Sequence, residues 1–347
     1  MPPERDPGPV PTPPHAQLIQ MATAYWGSRA LYAAARLGLA DRIADGSRRP
    51  ADLATETGAH PPSLHRLLRA LAGLGIVAED GDRGFSLTAL GQALRSGAPG
   101  AARATVLALA GDWWWRGWEH VLHAIATGQT GMERAFGTTV FEYLAREPEE
   151  ASYFNDAMIG FHGAEPDAVA VAYDFTRCET IVDVGGGTGN LIAAILERHS
   201  HARGVLADRP YVLSEAAALI ASRGLADRIT LEPIDFFTSI PDRGDAYLLS
   251  HVIHDWSEDE CLTILRNCRT AMKPGSRLLI IEMVLPAGNT PHPGKLLDLA
   301  MLVMPGGEER TADGYAMLLA RAGFEMTRVI PTASPVNIVE AVPVPLE

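Results

Sequence analysis

The sequence predicts an α/β protein whose C-terminal half forms a doubly wound, mostly parallel sheet and whose N-terminal part is helical. From residue 180 onward, short apolar runs typical of strands alternate with helical segments. This alternation is typical of parallel sheets covered by helices on both faces. Before residue 178, helical spacing dominates and a small hairpin is indicated. At 347 residues the chain is long enough for about two domains.

The composition predicts an ordinary globular protein, with 47% apolar and 20% charged residues. The formal charge of −13 argues against a general affinity for nucleic acid or anionic membranes. Three scattered cysteines, Cys178, Cys261 and Cys268, show no metal-ligand spacing, and their odd number fits a disulfide framework poorly. No apolar run approaches a membrane span. We therefore expect a cytoplasmic protein with no nucleic-acid or membrane partner.

The N-terminal region predicts a disordered tail followed by a winged-helix module. Residues 1–14 hold seven prolines and no signal-peptide core, which predicts the tail. Residues 15–43 predict one helix, Pro50–Thr57 a second and Pro61 the start of a third. Strand-like residues 76–79 and 85–88 flank a turn and predict a hairpin. Helix, helix, helix and hairpin is the order of a winged helix, which we place at residues 15–100.

A winged helix can bind DNA or serve in packing. Residues 15–97 hold nine arginines, no lysine and seven acidic residues, a balance of 9 − 7 = +2. The third helix offers only Arg66 and Arg69 as phosphate contacts, whereas DNA binding usually requires clustered cations. The composition favours a packing or dimerisation module.

Residues 101–177 predict a largely helical connector with a tryptophan cluster at 113–118. That cluster could form one wall of a site for a planar aromatic substrate, or it could pack between the two domains. Residues 178–347 predict the α/β domain. Its strand candidates are 181–184, 204–206, 229–231, 246–249, 278–281, 326–330 and 336–342, and its helix candidates are 190–198, 212–223, 259–271 and 312–322.

A glycine-rich turn follows the first predicted strand of this domain. Asp183, Gly185, Gly187 and Gly189 form the pattern acidic-x-G-x-G-x-G, and the turn opens a helix. Glycines at such a turn allow close approach of a ligand to the backbone. A dinucleotide fingerprint requires Gly or Ala where Asn190 stands. The pattern therefore favours a cofactor with an amino-acid tail over a nicotinamide dinucleotide.

Two further strand ends carry acidic residues. Asp208 ends the second strand, where an acid can accept hydrogen bonds from ribose hydroxyls. Asp235 and Phe236 follow the third strand and offer a carboxylate and a ring to an adenine. The alternative is that the glycines only form a tight turn and that the aspartates cap helices.

An ordered set of motifs resembles the caffeic acid/hydroxyindole O-methyltransferase family, and more closely its bacterial antibiotic-tailoring members. The motifs are Gly185–Asn190, Asp208–Pro210, Asp235-Phe236, His254–Trp256, Met272–Gly275 and Gly306–Thr311. The resemblance implies a Rossmann-like class I methyltransferase domain with seven strands, one of them antiparallel. It also implies S-adenosylmethionine as cofactor and a homodimer formed through the N-terminal winged-helix domain.

The resemblance also implies roles for individual residues. The cofactor would be held by Gly185, Gly187, Asp208, Asp235, Phe236 and Ser250, although many relatives have Lys in place of Ser250. His254 matches the general base, and Glu282 and Glu309 match the two acids that flank it. Alternatively, His254 is structural, His251 is the relevant histidine, or Glu309 supports the following helix.

The acceptor pocket implied by the resemblance is formed by Phe154, Met158, His162, Met301 and Met304, although methionines at helical spacing also suit a core. The expected reaction is methyl transfer to a phenolic hydroxyl of a small aromatic molecule, with no metal. An imidazole with a pKa of about 6.5 is a weak base for a phenol with a pKa of about 10, so attack and proton removal would be concerted. A ligand-sensing regulator and the hydroxylating or decarboxylating chemistry of some relatives stay as alternatives.

Overall fold

The computed structural model describes residues 12–81, 83–100, 102–242 and 244–344. The chain divides into two compact units, one up to Trp115 with Glu147–Phe161, and the other Arg116–Arg146 with the residues from His162 onward. The segment 101–177, predicted as a connector, contributes to both units. The predicted tail lies outside the described residues up to residue 11, and Pro14 already begins the first helix.

Short helices and one hairpin form the N-terminal unit. In chain order they are α1 Pro14–Thr23, α2 Tyr25–Arg36, α3 Leu39–Ile43, α4 Pro50–Thr57, α5 Pro61–Gly73, β1 Val77–Glu79, β2 Phe85–Leu87, α6 Ala89–Gln92, α7 Ala102–Leu109 and α8 Asp112–Trp118, which ends in the other unit. Helix α12, Pro148–His162, belongs to this unit up to Phe161. The strands β1 and β2 are antiparallel, as the hairpin prediction requires.

The prediction of one helix over residues 15–43 is wrong, since this stretch forms three helices. Near Ala24 the backbone hydrogen bonds shorten to a three-residue spacing, from Ala24 to Met21 and from Gly27 to Ala24. Gly38 then adopts a left-handed conformation with φ of +60°. A left-handed residue ends α2 and redirects the chain, and glycine tolerates this conformation without steric cost.

The C-terminal unit is built on a sheet of seven strands. They are β3 Thr180–Val184, β4 Arg203–Asp208, β5 Ile229–Pro233, β6 Ala246–Ser250, β7 Arg277–Glu282, β8 Phe324–Pro331 and β9 Asn337–Pro343. Their order across the sheet is β5-β4-β3-β6-β7-β9-β8. Strand β9 is antiparallel to both its neighbours, and the other neighbouring pairs are parallel. The sheet has the seven strands, one of them antiparallel, that the resemblance implied.

Helices cover both faces of this sheet. They include α13 Glu165–Ala172, α14 Asn190–Arg198, α15 Pro210–Ser222, α16 Glu258–Ala271, α17 Gly294–Val303 and α18 Ala312–Arg321, and the short helices α9 Val121–Thr127, α10 Gly131–Phe136 and α11 Val140–Leu144 also belong to the unit. Two apolar cores result. One packs α13, α14 and α15 against the sheet, and the other packs α16 and α18 against it.

The strand order changes direction at β3. The next two strands in the chain, β4 and β5, lie on one side of β3, and β6 and the later strands lie on the other side. In open α/β sheets a ligand crevice forms at such a switch point, beyond the carboxyl ends of the strands. The predicted cofactor residues, His254 and Glu282 lie at this edge, either at the ends of β4, β6 and β7 or in the segments that follow β3, β5 and β6. Among the described helices, none is long and apolar enough to cross a membrane.

We predict that Leu279→Ala destabilises the C-terminal unit by about 2–5 kcal/mol, because Leu279 in β7 is fully buried and truncation leaves a cavity. The measurement is the urea unfolding midpoint, followed by circular dichroism. Leu296→Ala is the matched control, because Leu296 is 75% exposed. Equal shifts of the midpoint for both variants would contradict the assignment of Leu279 to the core.

Candidate active site

The glycine loop after β3 has the backbone conformations that glycine allows. Gly185, Gly187 and Gly189 have φ of +68°, +58° and +80°. A methyl group added to Gly185 would lie 3.0 Å from Val252 and 3.5 Å from the ring of Phe236. The loop therefore lies directly beside the segments that follow β5 and β6, and larger side chains would be strained there.

Two carboxyl groups lie under and beside this loop. Asp183 is fully buried, and neither of its carboxyl oxygens makes a well-formed hydrogen bond within the described part of the chain. Burial and the nearby Asp208 raise its pKa to about 7, and the N–H of Ile192 partly opposes this. The Asp208 carboxylate accepts hydrogen bonds from the N–H of Gly187 at 2.8 Å and of Arg209 at 2.6 Å. Such a concentration of acidic groups favours a ligand that carries positive charge or donor groups.

Asp235 and Phe236 lie beside the same loop, at the end of β5. Asp235 is exposed and accepts a hydrogen bond from the N–H of Phe237 at 3.0 Å. The rings of Phe236, Phe237 and Trp256 form a cluster with centroid distances of 4.8–5.8 Å. Phe141 stacks on Trp256 at 5.2 Å. An exposed carboxylate next to partly buried rings suits the polar edge and the faces of a purine base.

His254 lies in a short 3-10 helix, Ile253–Asp255, that follows β6. Its imidazole is buried, and Nδ1 lies 2.6 Å from Oε1 of Glu309. A carboxylate on Nδ1 keeps the proton on that atom and leaves Nε2 as the atom able to accept a proton. Nε2 lies 3.6 Å from a carboxyl oxygen of Asp255. The His254–Glu309 pair thus has the geometry of an oriented base.

Glu282 acts on the backbone of His254. Its carboxylate accepts a hydrogen bond from the backbone N–H of His254 at 3.1 Å and another from the hydroxyl of Tyr315. The expectation that both acids converge on the imidazole is therefore met for Glu309, while Glu282 fixes the turn that carries the ring. Burial raises the pKa of Glu282, and the neighbouring His254 and Tyr315 oppose the rise.

The three acids determine the protonation of His254. Burial lowers the pKa of the imidazole, but the charges of Asp255, Glu309 and Glu282 outweigh burial and raise this pKa to about 10. The rise favours the imidazolium form of the ring in the ligand-free protein, and Nε2 can serve as a base only in the neutral form.

The segment that carries Glu309 is held against the His254 turn by contacts that the sequence does not reveal. The N–H of Glu309 donates to Asp298 at 2.9 Å. Leu285 and Thr311 form a parallel β-bridge. A methyl group added to Gly307 would overlap with the carbonyl oxygen of His254, so glycine is needed for this close approach. Because these pairs are far apart in sequence, no local pattern could have predicted them, although Gly307 lies in a motif quoted for the resemblance.

His251 lies next to His254, with 5.3 Å between the ring centroids, but it contacts a different carboxylate. It adopts φ of +52°, an uncommon conformation for a residue with a side chain. Its Nε2 lies 2.8 Å from Oε2 of Glu165, and Nδ1 of His162 lies 3.1 Å from the same oxygen. The sequence showed no cluster with metal-ligand spacing, but the fold assembles these three side chains in an arrangement that could hold a metal ion.

The residues predicted for an acceptor pocket belong to different units. Phe154 and Met158 are half-buried in the N-terminal unit, where Phe154 packs edge-on against Trp113 at 6.3 Å. His162, Met301 and Met304 lie in the C-terminal unit, where both methionines are buried. Their assignment to the acceptor stays a prediction. Ser250 ends β6 at the edge that carries the glycine loop, and its assignment to the cofactor also stays a prediction.

Comparison with known families agrees with the fold and the site. Residues 118–325 match an O-methyltransferase domain, and residues 19–97 match an O-methyltransferase dimerisation domain. The chain belongs to this O-methyltransferase family. The interpretation of the winged helix as a dimerisation module is thereby confirmed.

Individual relatives are similar over nearly the whole chain. A phenazine O-methyltransferase from Lysobacter antibioticus is 45% identical over 94% of this chain and 96% of its own length. A mitomycin biosynthesis 6-O-methyltransferase from Streptomyces lavendulae is 41% identical, covering 91% of this chain and 90% of its own. A phenazine-1-carboxylate N-methyltransferase from Pseudomonas aeruginosa is 35% identical, covering 90% of this chain and 92% of its own length.

The solved structure of an O-methyltransferase of neocarzinostatin biosynthesis is also similar. Its sequence is 34% identical to this chain. The two structures superimpose over 92% of this chain and 96% of that protein's chain, with a TM-score of 0.81. It contains S-adenosyl-L-homocysteine and 1,4-dihydroxy-2-naphthoic acid. The present chain is accordingly an S-adenosylmethionine-dependent methyltransferase.

We predict that Glu309→Gln lowers the pKa of His254 from about 10, because the variant removes a carboxylate that stabilises the imidazolium. The ring would then become neutral at lower pH than in the wild type. The measurement is a pH titration of the ¹⁵N-labelled imidazole by NMR in the ligand-free protein. Glu308→Gln is the matched control, because this half-exposed neighbour pairs with Arg310. Equal pKa values for His254 in the two variants would contradict the assignment.

Proposed function

We propose that this protein transfers the methyl group of S-adenosylmethionine to a phenolic hydroxyl of a small aromatic metabolite, with His254 as the general base. The observation that carries the proposal is the buried His254–Glu309 pair with a contact of 2.6 Å. The pair lies at the carboxyl edge of the sheet, which also carries the glycine loop. Similarity to O-methyltransferases of phenazine and mitomycin pathways supports an aromatic or quinone-like acceptor.

The cofactor site is proposed from the residues at the ends of β3, β4 and β5. The open backbone of Gly185 and Gly187 would receive the amino-acid tail, and Asp208 would accept hydrogen bonds from the ribose hydroxyls. Asp235 and the ring of Phe236 would hold the adenine, with Ser250 nearby. When bound, the cofactor supplies an electrophilic methyl group on a positively charged sulfur, whose charge opposes the imidazolium and favours the neutral form of His254.

The raised pKa of His254 suits a phenol. A phenol has a pKa of about 10, and the three acids raise the pKa of His254 above its ordinary value, so they narrow the gap between the base and the phenol and favour transfer of the phenolic proton to Nε2. Glu309 keeps Nε2 oriented and stabilises the positive charge that the ring gains as it takes the proton. Glu282 and Tyr315 hold the His254 turn in place. This keeps the base aligned with the acceptor, and methyl transfer depends on that alignment.

Nitrogen is the alternative methyl acceptor, because a relative at 35% identity is named as an N-methyltransferase. The buried pair favours oxygen, since a neutral aromatic amine attacks without a base whereas a phenol must lose a proton as it attacks. A screen of matched phenolic and amino-substituted aromatic compounds with isotopically labelled donor, analysed by mass spectrometry, tests this. Labelling of the amines alone would contradict the proposal.

We predict that His254→Ala slows methyl transfer by about two to four orders of magnitude, the usual contribution of a general base. Binding of S-adenosylmethionine, measured by calorimetry, should be retained, because none of the proposed cofactor contacts is made by the side chain of His254. His201→Ala is the control, since His201 lies on the connection between α14 and β4, outside the proposed site. A rate near that of the wild type in His254→Ala would show that another group takes the proton.

We also propose that the chain forms a homodimer through its N-terminal domain. Helices α1 and α2 expose large apolar side chains, among them Leu18, Met21 and Trp26 at 67%, 70% and 63% exposure. Such a patch is typical of an interface, and it lies at the start of the segment that matches the dimerisation domain.

We predict that the double variant Leu18→Glu, Met21→Glu shifts the chain from dimer toward monomer, because charges would have to be buried in the interface. The measurement is the mass by light scattering after size-exclusion chromatography. Met317→Glu, an equally exposed methionine on α18, should leave the mass unchanged. A dimer that persists in the double variant would place the interface elsewhere.

A further inference from the structure

We propose that His162, Glu165 and His251 form a binding site for a divalent transition-metal ion, such as zinc, next to the proposed base. The candidate ligand atoms of the three side chains all lie within 4.8 Å of one another. Two imidazoles and one carboxylate are ligands that zinc and neighbouring transition metals accept in proteins. The proposal is independent of the methyl transfer assigned above.

The distances fit coordination. Nδ1 of His162 and Nε2 of His251 lie 3.1 Å and 2.8 Å from the same carboxylate oxygen of Glu165. In a tetrahedral zinc site with bonds of about 2.0–2.1 Å, ligand atoms are about 3.3 Å apart. An ion can therefore enter the triangle with small side-chain movements, provided that each imidazole carries its proton on the nitrogen that faces away from Glu165.

The local backbone holds the three ligands together. Gly163, with φ of +46°, joins the end of α12 to the start of α13, so that His162 and Glu165 face one another. His251 reaches the pair from the end of β6 with φ of +52°, and the two imidazole rings lie 3.9 Å apart. A strained backbone conformation of a non-glycine residue persists where the surrounding structure fixes it, and such residues cluster at functional sites.

The site is nearly closed but not sealed. The side chains of His162, Glu165 and His251 are 23%, 8% and 12% exposed. Three protein ligands leave a fourth position of a tetrahedral ion for water or for an oxygen atom of a small molecule. The rings of His251 and His254 lie 5.3 Å apart, so an oxygen ligand of the ion would be close to the proposed base.

The test is metal binding by the full-length protein after treatment with a chelator. Titration with Zn²⁺ in a calorimeter should give one site per chain, and Co²⁺ should give the visible absorption bands of tetrahedral coordination. Glu165→Gln, His162→Ala and His251→Ala should each weaken Zn²⁺ binding more than about tenfold, since even changes beyond the ligands themselves cost 10–100-fold. Glu165→Gln preserves the side-chain shape, so its circular dichroism and unfolding midpoint verify that the fold is intact.

Two control variants locate the ion. His201→Ala removes a histidine whose ring lies 6.1 Å from that of His199, a second place where histidines meet. His254→Ala removes the neighbouring proposed base. Both should retain the wild-type affinity for Zn²⁺. The proposal is overturned if the wild type binds no Zn²⁺, if Glu165→Gln binds it as tightly as the wild type, or if either control loses the site.

Discussion

The contact between the imidazole of His254 and the carboxylate of Glu309 is the interaction on which the candidate active site depends. Both groups are buried, and their atoms lie 2.6 Å apart. Backbone hydrogen bonds hold the two segments in place, since Asp298 receives the N–H of Glu309 and Glu282 receives the backbone N–H of His254. The second carboxyl oxygen of Glu309, Oε2, is buried without a hydrogen-bond partner among the described residues. The imidazole is therefore the main partner of this carboxylate.

The sheet topology explains why one edge carries all the chemistry. The strand order reverses at β3, and each parallel strand ends at the same edge. The glycine loop, Asp208, Asp235 and the His254 turn follow successive strands of this set. Neighbouring carboxyl groups at this edge raise the pKa of both Asp183 and His254, whereas burial adds to the rise for Asp183 and opposes it for His254.

A division of tasks between acids also becomes apparent. Glu309 contacts the ring and governs its tautomer, whereas Glu282 contacts the backbone and the hydroxyl of Tyr315. Glu165 takes part in neither contact. Its carboxylate lies within hydrogen-bond distance of His162 and His251 in a separate cluster. Two of these glutamates therefore act on His254, one through the ring and one through the backbone, and the third contacts two other histidines.

The sequence by itself determined the α/β class, the strands and helices of the C-terminal half, and the glycine loop, because periodicity, glycine pattern and strand ends are local properties. It also supplied His254 and Glu309 through the resemblance of ordered motifs. Tertiary structure alone decided that Glu282 holds a backbone N–H, that Gly307 permits the approach to His254, and that His162 meets His251 across 89 residues of numbering. These three features depend on pairs of residues that are remote in sequence, and only the folded chain brings such pairs into contact. The single helix expected over 15–43 failed for a different, local reason, since apolar spacing does not show where the backbone hydrogen bonding changes.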